Sequence, residues 1–260
     1  MNWLNVLAGF GVGLMVGVTG VGGGSLMTPI LVLLFGVAPA SAVGTDLWFA
    51  GLTKMVGGTL HHQKGSVDWE VVRRLWTGSL PASVITLLWM HQTGIAQSKP
   101  RVLLVALACV MLATSVSMFF MSRTHSMAKK LRTRAPMRYR AMQPPVTVLA
   151  GAILGVLVTL TSVSAGALGT VLLLYIYPFR MKAARLVGTD IVHAIPLTIV
   201  AGTGHMLMGN VNFTLLGNLL LGSIPGIAIG SLLAGWAPDR HLRKAIAVLL
   251  VIVGIKLLLP

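Results

Sequence analysis

Eight long apolar stretches follow one another along the chain, at about residues 4–35, 42–60, 71–91, 102–121, 146–177, 186–208, 213–236 and 242–259. A stretch of about 20 apolar residues is what an α-helix needs to cross the hydrocarbon of a bilayer. Two of the eight are too long for one crossing. The 4–35 and 146–177 stretches would each reach roughly 48 Å as one helix, against a hydrocarbon core of about 30 Å. Both are interrupted near the middle by small residues, Gly20-Val-Gly-Gly-Gly-Ser25 and Ser162-Val-Ser-Ala-Gly166. Each therefore reads as a helix, a break and a second helix.

Composition agrees. Hydrophobic residues make up 55% of the chain and charged residues 10%, with five acidic side chains in all. That is too little charge to solvate a soluble surface of this size, and the long apolar runs do not fit a β-barrel. The net charge of +15 does not point to nucleic acid, because seven of the twenty cations cluster between Arg123 and Arg140, as in a cytoplasmic loop. The single Cys109 lies in an apolar run and forms no framework. No cleaved signal peptide is expected, and the first apolar run is expected to belong to the mature protein.

The chain also repeats. Shifted by 144 residues, Val43-Gly-Thr-Asp46 falls on Val187-Gly-Thr-Asp190, His61 on His205, Gly65 on Gly209, Gly78-Ser79 on Gly222-Ser223 and Pro81 on Pro225. Two halves, 1–121 and 146–260, are expected to be joined by a basic cytoplasmic linker, 122–145. Placing Lys and Arg inside puts the 61–74 loop inside with that linker, and the 36–41 and 92–101 loops outside. If the 146–177 stretch enters and returns, the cations at Arg180, Lys182, Arg185, Arg240, Arg243 and Lys244 are also inside, and only Lys99 and Arg101 break the rule. The fold expected is an all-α polytopic membrane protein. It has two repeats of inverted topology, each a broken or re-entrant hairpin followed by three transmembrane helices, a plan found in secondary transporters.

Such breaks free backbone N–H groups at a helix start, where an anion is favoured. The candidate substrate-binding residues are Thr19, Gly22, Gly23, Gly24 and Ser25 in the first break and Ser162, Ser164 and Gly166 in the second. Lys54 joins them as a countercharge to a bound anion, unless it snorkels to an interface. The donor set, with no acidic or aromatic residue in either break, suits a small oxyanion such as sulfate, sulfite or a sulfonate. Asp46, Asp190, His61 and His205 are the coupling or gating candidates, since ionisable groups in a membrane span call for a function. The plainer reading keeps the aspartates as caps in the first turn of a helix and the histidines as helix-end groups. His193, without a counterpart at 49, reads as buried and hydrogen-bonded. No ligand spacing suggests a metal, no cofactor is expected, and no P-loop supplies ATP hydrolysis. An intramembrane enzyme would need a nucleophile with its base, or a pair of aspartates, and only Asp46 and Asp190 qualify, in capping-like contexts.

The segment Gly17-Val-Thr-Gly-Val-Gly-Gly-Gly-Ser-Leu-Met-Thr-Pro29, with Ala42-Val-Gly-Thr-Asp46 and His61 followed by Gly65-Ser-Val-Asp68, resembles the sulfite exporter TauE/SafE family, also called the toluenesulfonate uptake permeases. The resemblance runs over nearly the whole chain. It implies a multi-pass transporter of the bacterial inner membrane that moves organosulfonates, sulfite or related sulfur oxyanions. The partners it implies are that small anion and membrane lipid, with a homodimer left open. The second half departs from the pattern, with Ser162-Val-Ser-Ala-Gly166 for the triple glycine and Leu173 where Pro29 stands. The alternative on the same fold is an anion channel.

Overall fold

The computed structural model describes residues 3–19, 24–63, 65–163, 167–181, 183–233 and 239–259. Their regular structure is helical throughout. In chain order the helices are α1 (Trp3–Thr19), α2 (Gly24–Leu33), α3 (Pro39–Gln63), α4 (Trp69–Thr93), the short α5 (Ile95–Ser98), α6 (Pro100–Arg134), α7 (Pro136–Thr161), α8 (Ala167–Ile176), α9 (Ala183–Leu207), α10 (Phe213–Leu233) and α11 (Asp239–Leu258). Windows of α6, α7, α9 and α10 are each long and apolar enough to span a bilayer.

Each long apolar stretch is indeed two helices, α1 with α2 and α7 with α8. Ser162 closes α7 in the left-handed conformation, φ 57°, and is the only non-glycine residue with positive φ among those described. A side chain tolerates that angle poorly, so the position is a fixed stop. α8 then returns to the end of the bundle where α7 begins. Gln143 Nε2 donates to the Ile176 carbonyl at 2.7 Å, and the Tyr139 hydroxyl donates to the carbonyl of Tyr175. The basic 122–145 stretch, expected as a loop, is instead helical on both sides of Ala135. Its Lys, Arg, Leu and Met residues are good helix formers, and Pro136 sits at the first turn of α7, where proline costs nothing.

Helix bounds repeat along the chain. α3 ends at Gln63 and α9 at Leu207, 144 residues later, and each has 25 residues. Packing crosses between the two sets. α1 lies along α10, and α4 lies along α7. Both pairs are parallel and touch backbone to backbone. A Cβ on Gly9 or Gly13 would strike the backbone of Leu219 or Ser223, and one on Gly151 or Gly155 would strike Leu75 or Ser79. The same glycine contacts therefore recur with α1 and α7 offset by 142 residues and α4 and α10 by 144. Gly9 and Gly13, Gly151 and Gly155, and Gly222, Gly226 and Gly230 are small residues four apart, the spacing by which membrane helices approach closely.

Equivalent helices run in opposite directions where they meet. α3 and α9 are antiparallel, with Gly51 against Thr198 and Gly202 against Trp48. α6 and α11 are antiparallel as well: Ser115 Oγ donates to the Ala247 carbonyl at 2.8 Å, and Gly254 packs on Leu112. The 65–68 and 177–181 segments, both expected inside from their cations, meet in an ion pair. Arg180 donates to both carboxylate oxygens of Asp68, at 2.5 and 2.7 Å, and to Glu70 at 2.6 Å. Partial burial opposes the Arg180 charge, but these hydrogen bonds outweigh it and hold its pKa above the ordinary arginine value. At the opposite end Phe35 and Val37 share a cavity with Asn212.

The glycine contacts give a direct test. Gly222→Val would drive a side chain into the backbone of Val6 and Phe10, whereas Gly217 on the same helix faces open space. Gly222→Val should destabilise by about 1–3 kcal/mol or more through overpacking, and Gly217→Val should leave the melting temperature of the detergent-purified protein within a degree or two. Equal melting of the two variants would contradict the packing.

Candidate functional site

The repeated Gly-Thr-Asp tripeptide does three different jobs in three successive residues. Gly44 leaves room for the backbone of Asn210, and Gly188 for the backbone of Ser66. Thr45 Oγ1 accepts from the Asn212 N–H at 3.1 Å, and Thr189 Oγ1 from the Asp68 N–H at 3.0 Å. Asn212 and Asp68 in turn accept from the first turns of α10 and α4, at Leu215 N–H and Val71 N–H. Glycine and threonine thus tie each of α3 and α9 to the connection from the other half of the chain. The aspartate turns towards a broken hairpin. Asp46 Oδ2 accepts from the Thr28 N–H at 3.1 Å and from the Thr28 hydroxyl at 2.5 Å, both on α2. Asp190 Oδ1 lies against Gly169 on α8, so closely that a Cβ there would clash.

The structure corrects the capping reading. α3 begins at Pro39 and α9 at Ala183, so Asp46 and Asp190 lie seven residues inside their helices and cap neither. Both are buried. Both helices begin earlier than the apolar stretches that marked them, α3 with Pro39 in its first turn, a position that suits proline.

Lys54 is buried too, with 5% of its surface exposed, and does not reach an interface. Its charge interacts with Asp190 and with Asp46. Since Gly51 faces Thr198 across the antiparallel pair, the two aspartates are offset along the helix axes by about 20 Å at 1.5 Å per residue. Lys54 occupies the level between them. His193, at a similar level on α9, shares a hydrogen bond with Ser79 Oγ at 3.0 Å, and its backbone carbonyl accepts from Trp76 Nε1 at 3.1 Å. It is buried and hydrogen-bonded, as expected.

At the level of Asp46 the second break comes in. Ser162 lies beside Asp46. Ser162 Oγ and Asp46 Oδ1 are buried, and neither has a hydrogen-bond partner among the described residues. His205 is close by in sequence level, packed against Gly44, with Nε2 donating to the Thr159 carbonyl at 2.9 Å. Its Nδ1 is likewise without a partner among the described residues. Asp46 and Ser162 are thus brought together from α3 and the α7–α8 break, while Lys54 lies about two helical turns further along α3, within electrostatic range of both aspartates.

Gly22, Gly23, Ser164 and Gly166 lie outside the described residues. Thr19 ends α1, Gly24 and Ser25 open α2, and His61 lies in the last turn of α3, each described by its backbone alone. Among the described residues no group of three or more His, Cys, Asp or Glu could hold a metal ion. Sequence reasoning assigned no role to Thr28 or Ser79, although both fall in segments it singled out. A single hydroxyl in an apolar run carries no signal until its partner, here Asp46 or His193, is known.

The charge balance yields a prediction. Removing one member of a buried charge cluster typically costs ~3–5 kcal/mol, while removing opposite charges together costs far less. Lys54→Met should therefore lower stability strongly, and adding Asp190→Asn should restore much of it. Additive losses in a double-mutant cycle of melting temperatures would show that the two charges do not interact.

The profile described as sulfite exporter TauE/SafE matches residues 5–257. The probable membrane transporter protein YjnA of Bacillus subtilis (strain 168) is 36% identical over 261 residues, covering 97% of this chain and 98% of that protein. The probable membrane transporter protein YunE of the same organism is 31% identical over 110 residues, 41% of this chain and 40% of that protein. No solved structure is a significant match.

Proposed function

The chain belongs to the sulfite exporter TauE/SafE family and is a membrane transporter; we propose that it carries a sulfur-containing oxyanion, an organosulfonate or sulfite, across the bacterial inner membrane by alternating access. The observation that carries this reading is the buried Lys54, set between two aspartates that each face a broken hairpin. A buried cation in a membrane span is costly and is offset by pairing with carboxylates or by water, so its presence supports a charge pathway. The helix break at Ser162, beside Asp46, offers a hydroxyl and backbone donors to an anion. The anion would be held by Ser162 and the Gly22–Ser25 break with Ser164, Gly166 and Thr19, and steered by Lys54.

Lys54 is opposed by two carboxylates, so the cluster with all three ionised carries one surplus negative charge. An anion entering that field is repelled unless positive charge enters with it. Asp46 and Asp190, helped by His61 and His205 at the helix ends, are the proposed coupling or gating groups. Two halves of inverted topology, 1–121 and 146–260 with 122–145 between them, are the proposed moving parts. The antiparallel meeting of α3 with α9 and of α6 with α11 supports that arrangement, as does the 144-residue repeat.

The test is counterflow in proteoliposomes loaded with sulfite, taurine or sulfoacetate. Wild-type protein should show saturable uptake of labelled substrate driven by unlabelled substrate inside. Gly23→Val and Ser162→Leu should reduce it at least about tenfold, the equivalent of 1.4 kcal/mol, when uptake is normalised to the folded protein in the liposomes. Asp190→Asn should respond less to an imposed proton gradient. Flux that neither saturates nor shows counterflow would identify an anion channel. Wild-type transport by both Gly23→Val and Ser162→Leu would remove the breaks from the site.

A further inference from the structure

At the cation-rich end of the bundle two cavities adjoin. One, of about 520 Å³, is lined by Arg74, Arg132, Arg140, Arg180 and Glu70, with Gln143 in its wall. The other, of about 330 Å³, is mostly apolar, lined by Leu131, Met142, Val146 and Ile176, with Arg138 and Tyr139 in its wall and Gln143 again shared. Gln143 is fixed as the partition by its hydrogen bond to the Ile176 carbonyl. Leu131 and Met142 are exposed, so the apolar cavity opens outward between the ends of α6 and α7.

The arginines are unequally served. Arg180 is paired with Asp68 and Glu70, and Arg74 with Glu70. Arg132 stacks over Tyr139 at 5.7 Å, and neither it nor Arg140 is in an ion pair among the described residues. Against Asp68 and Glu70, four arginines leave two positive charges facing a cavity. A guanidinium presents paired donors to a phosphate. A soluble anion would use the basic cavity and leave the apolar one empty. A molecule with a phosphate at one end and a hydrocarbon chain at the other fills both.

We infer that these two cavities form one binding site for an anionic phospholipid, its phosphate between Arg132 and Arg140 and its acyl chain in the groove beside Met142. Basic pockets at the cytoplasmic ends of membrane helices favour such headgroups by the same electrostatics. The bound lipid spans α6, α7 and the end of α8, and so closes the open end of the α7–α8 hairpin. The site is independent of which anion is transported.

The experiment is melting of the full-length protein in a neutral detergent, with phosphatidylglycerol, cardiolipin, phosphatidylcholine or inorganic phosphate added. Phosphatidylglycerol and cardiolipin should raise the melting temperature by several degrees, and phosphatidylcholine and inorganic phosphate should not. The Arg132→Gln/Arg140→Gln double variant should melt as wild type without lipid and lose the shift. Met142→Glu, which places a negative charge at the groove mouth, should lose it too, and serves alone if the double variant does not fold. An equal shift from inorganic phosphate would mark a soluble-anion site. An equal shift from phosphatidylcholine, or a full shift retained by the variants, would overturn the proposal.

Discussion

Inside the hydrocarbon of a bilayer there is no water to satisfy a broken helix or a buried charge, so a freed polar group is costly unless the protein or an enclosed cavity serves it. This requirement explains the arrangement around α3 and α9. The aspartate of each Gly-Thr-Asp tripeptide is spent on a neighbouring hairpin, Asp46 on the N–H and hydroxyl of Thr28 and Asp190 against Gly169. The threonine beside it receives the N–H of the connection that crosses from the other half. Lys54 then sets its charge against both carboxylates. Backbone contact at Gly9, Gly13, Gly151 and Gly155 brings the flanking helices close enough to seal this polar interior. Loss of one part exposes the next to hydrocarbon without a partner.

The repeat is imperfect where a transporter needs it to be. Lys54 corresponds to Thr198, 144 residues on, whose hydroxyl bonds its own helix at Ala194 and Ile195. Asp68, which pairs with Arg180, corresponds to Asn212, which carries no charge. One end of the bundle is therefore fastened by ion pairs and the other by neutral caps. Under the alternating access proposed here, unequal fastenings at the two ends would give end states of unequal energy, which a bound substrate could reweight.

Much of this was legible in the chain. The two overlong apolar stretches with small-residue centres each hold two helices, as a single helix of that length cannot fit the bilayer. The cation count grouped the 61–74 and 177–185 segments on one side, and Asp68 and Arg180 meet there. The 144-residue shift singled out Asp46 and Asp190. What remained hidden depended on partners distant in sequence. Asp46 looked like a cap because α3 begins earlier than the apolar stretch that marked it, and only the burial of α3 shows it to be interior. Thr28 and Ser79 are ordinary hydroxyls until Asp46 and His193 face them. The glycines four apart on α1, α7 and α10 gave no hint of which helices they would join. The basic 122–145 stretch read as a loop from charge alone, although its residue types favour a helix.

The central claim, that the hairpin breaks around Asp46 and Ser162 hold a sulfur oxyanion, is tested most directly by ligand-dependent melting. Purified protein would be heated with sulfite, sulfate, taurine, sulfoacetate or an aromatic sulfonate, with carboxylate analogues as controls. A ligand bound only by the folded state at 100 times its dissociation constant stabilises by about 2.7 kcal/mol. The account predicts a shift with at least one sulfur oxyanion, a much smaller one with its carboxylate analogue, and none in Ser162→Leu. No shift from any sulfur oxyanion at millimolar concentration, or equal shifts from the carboxylates, would contradict it.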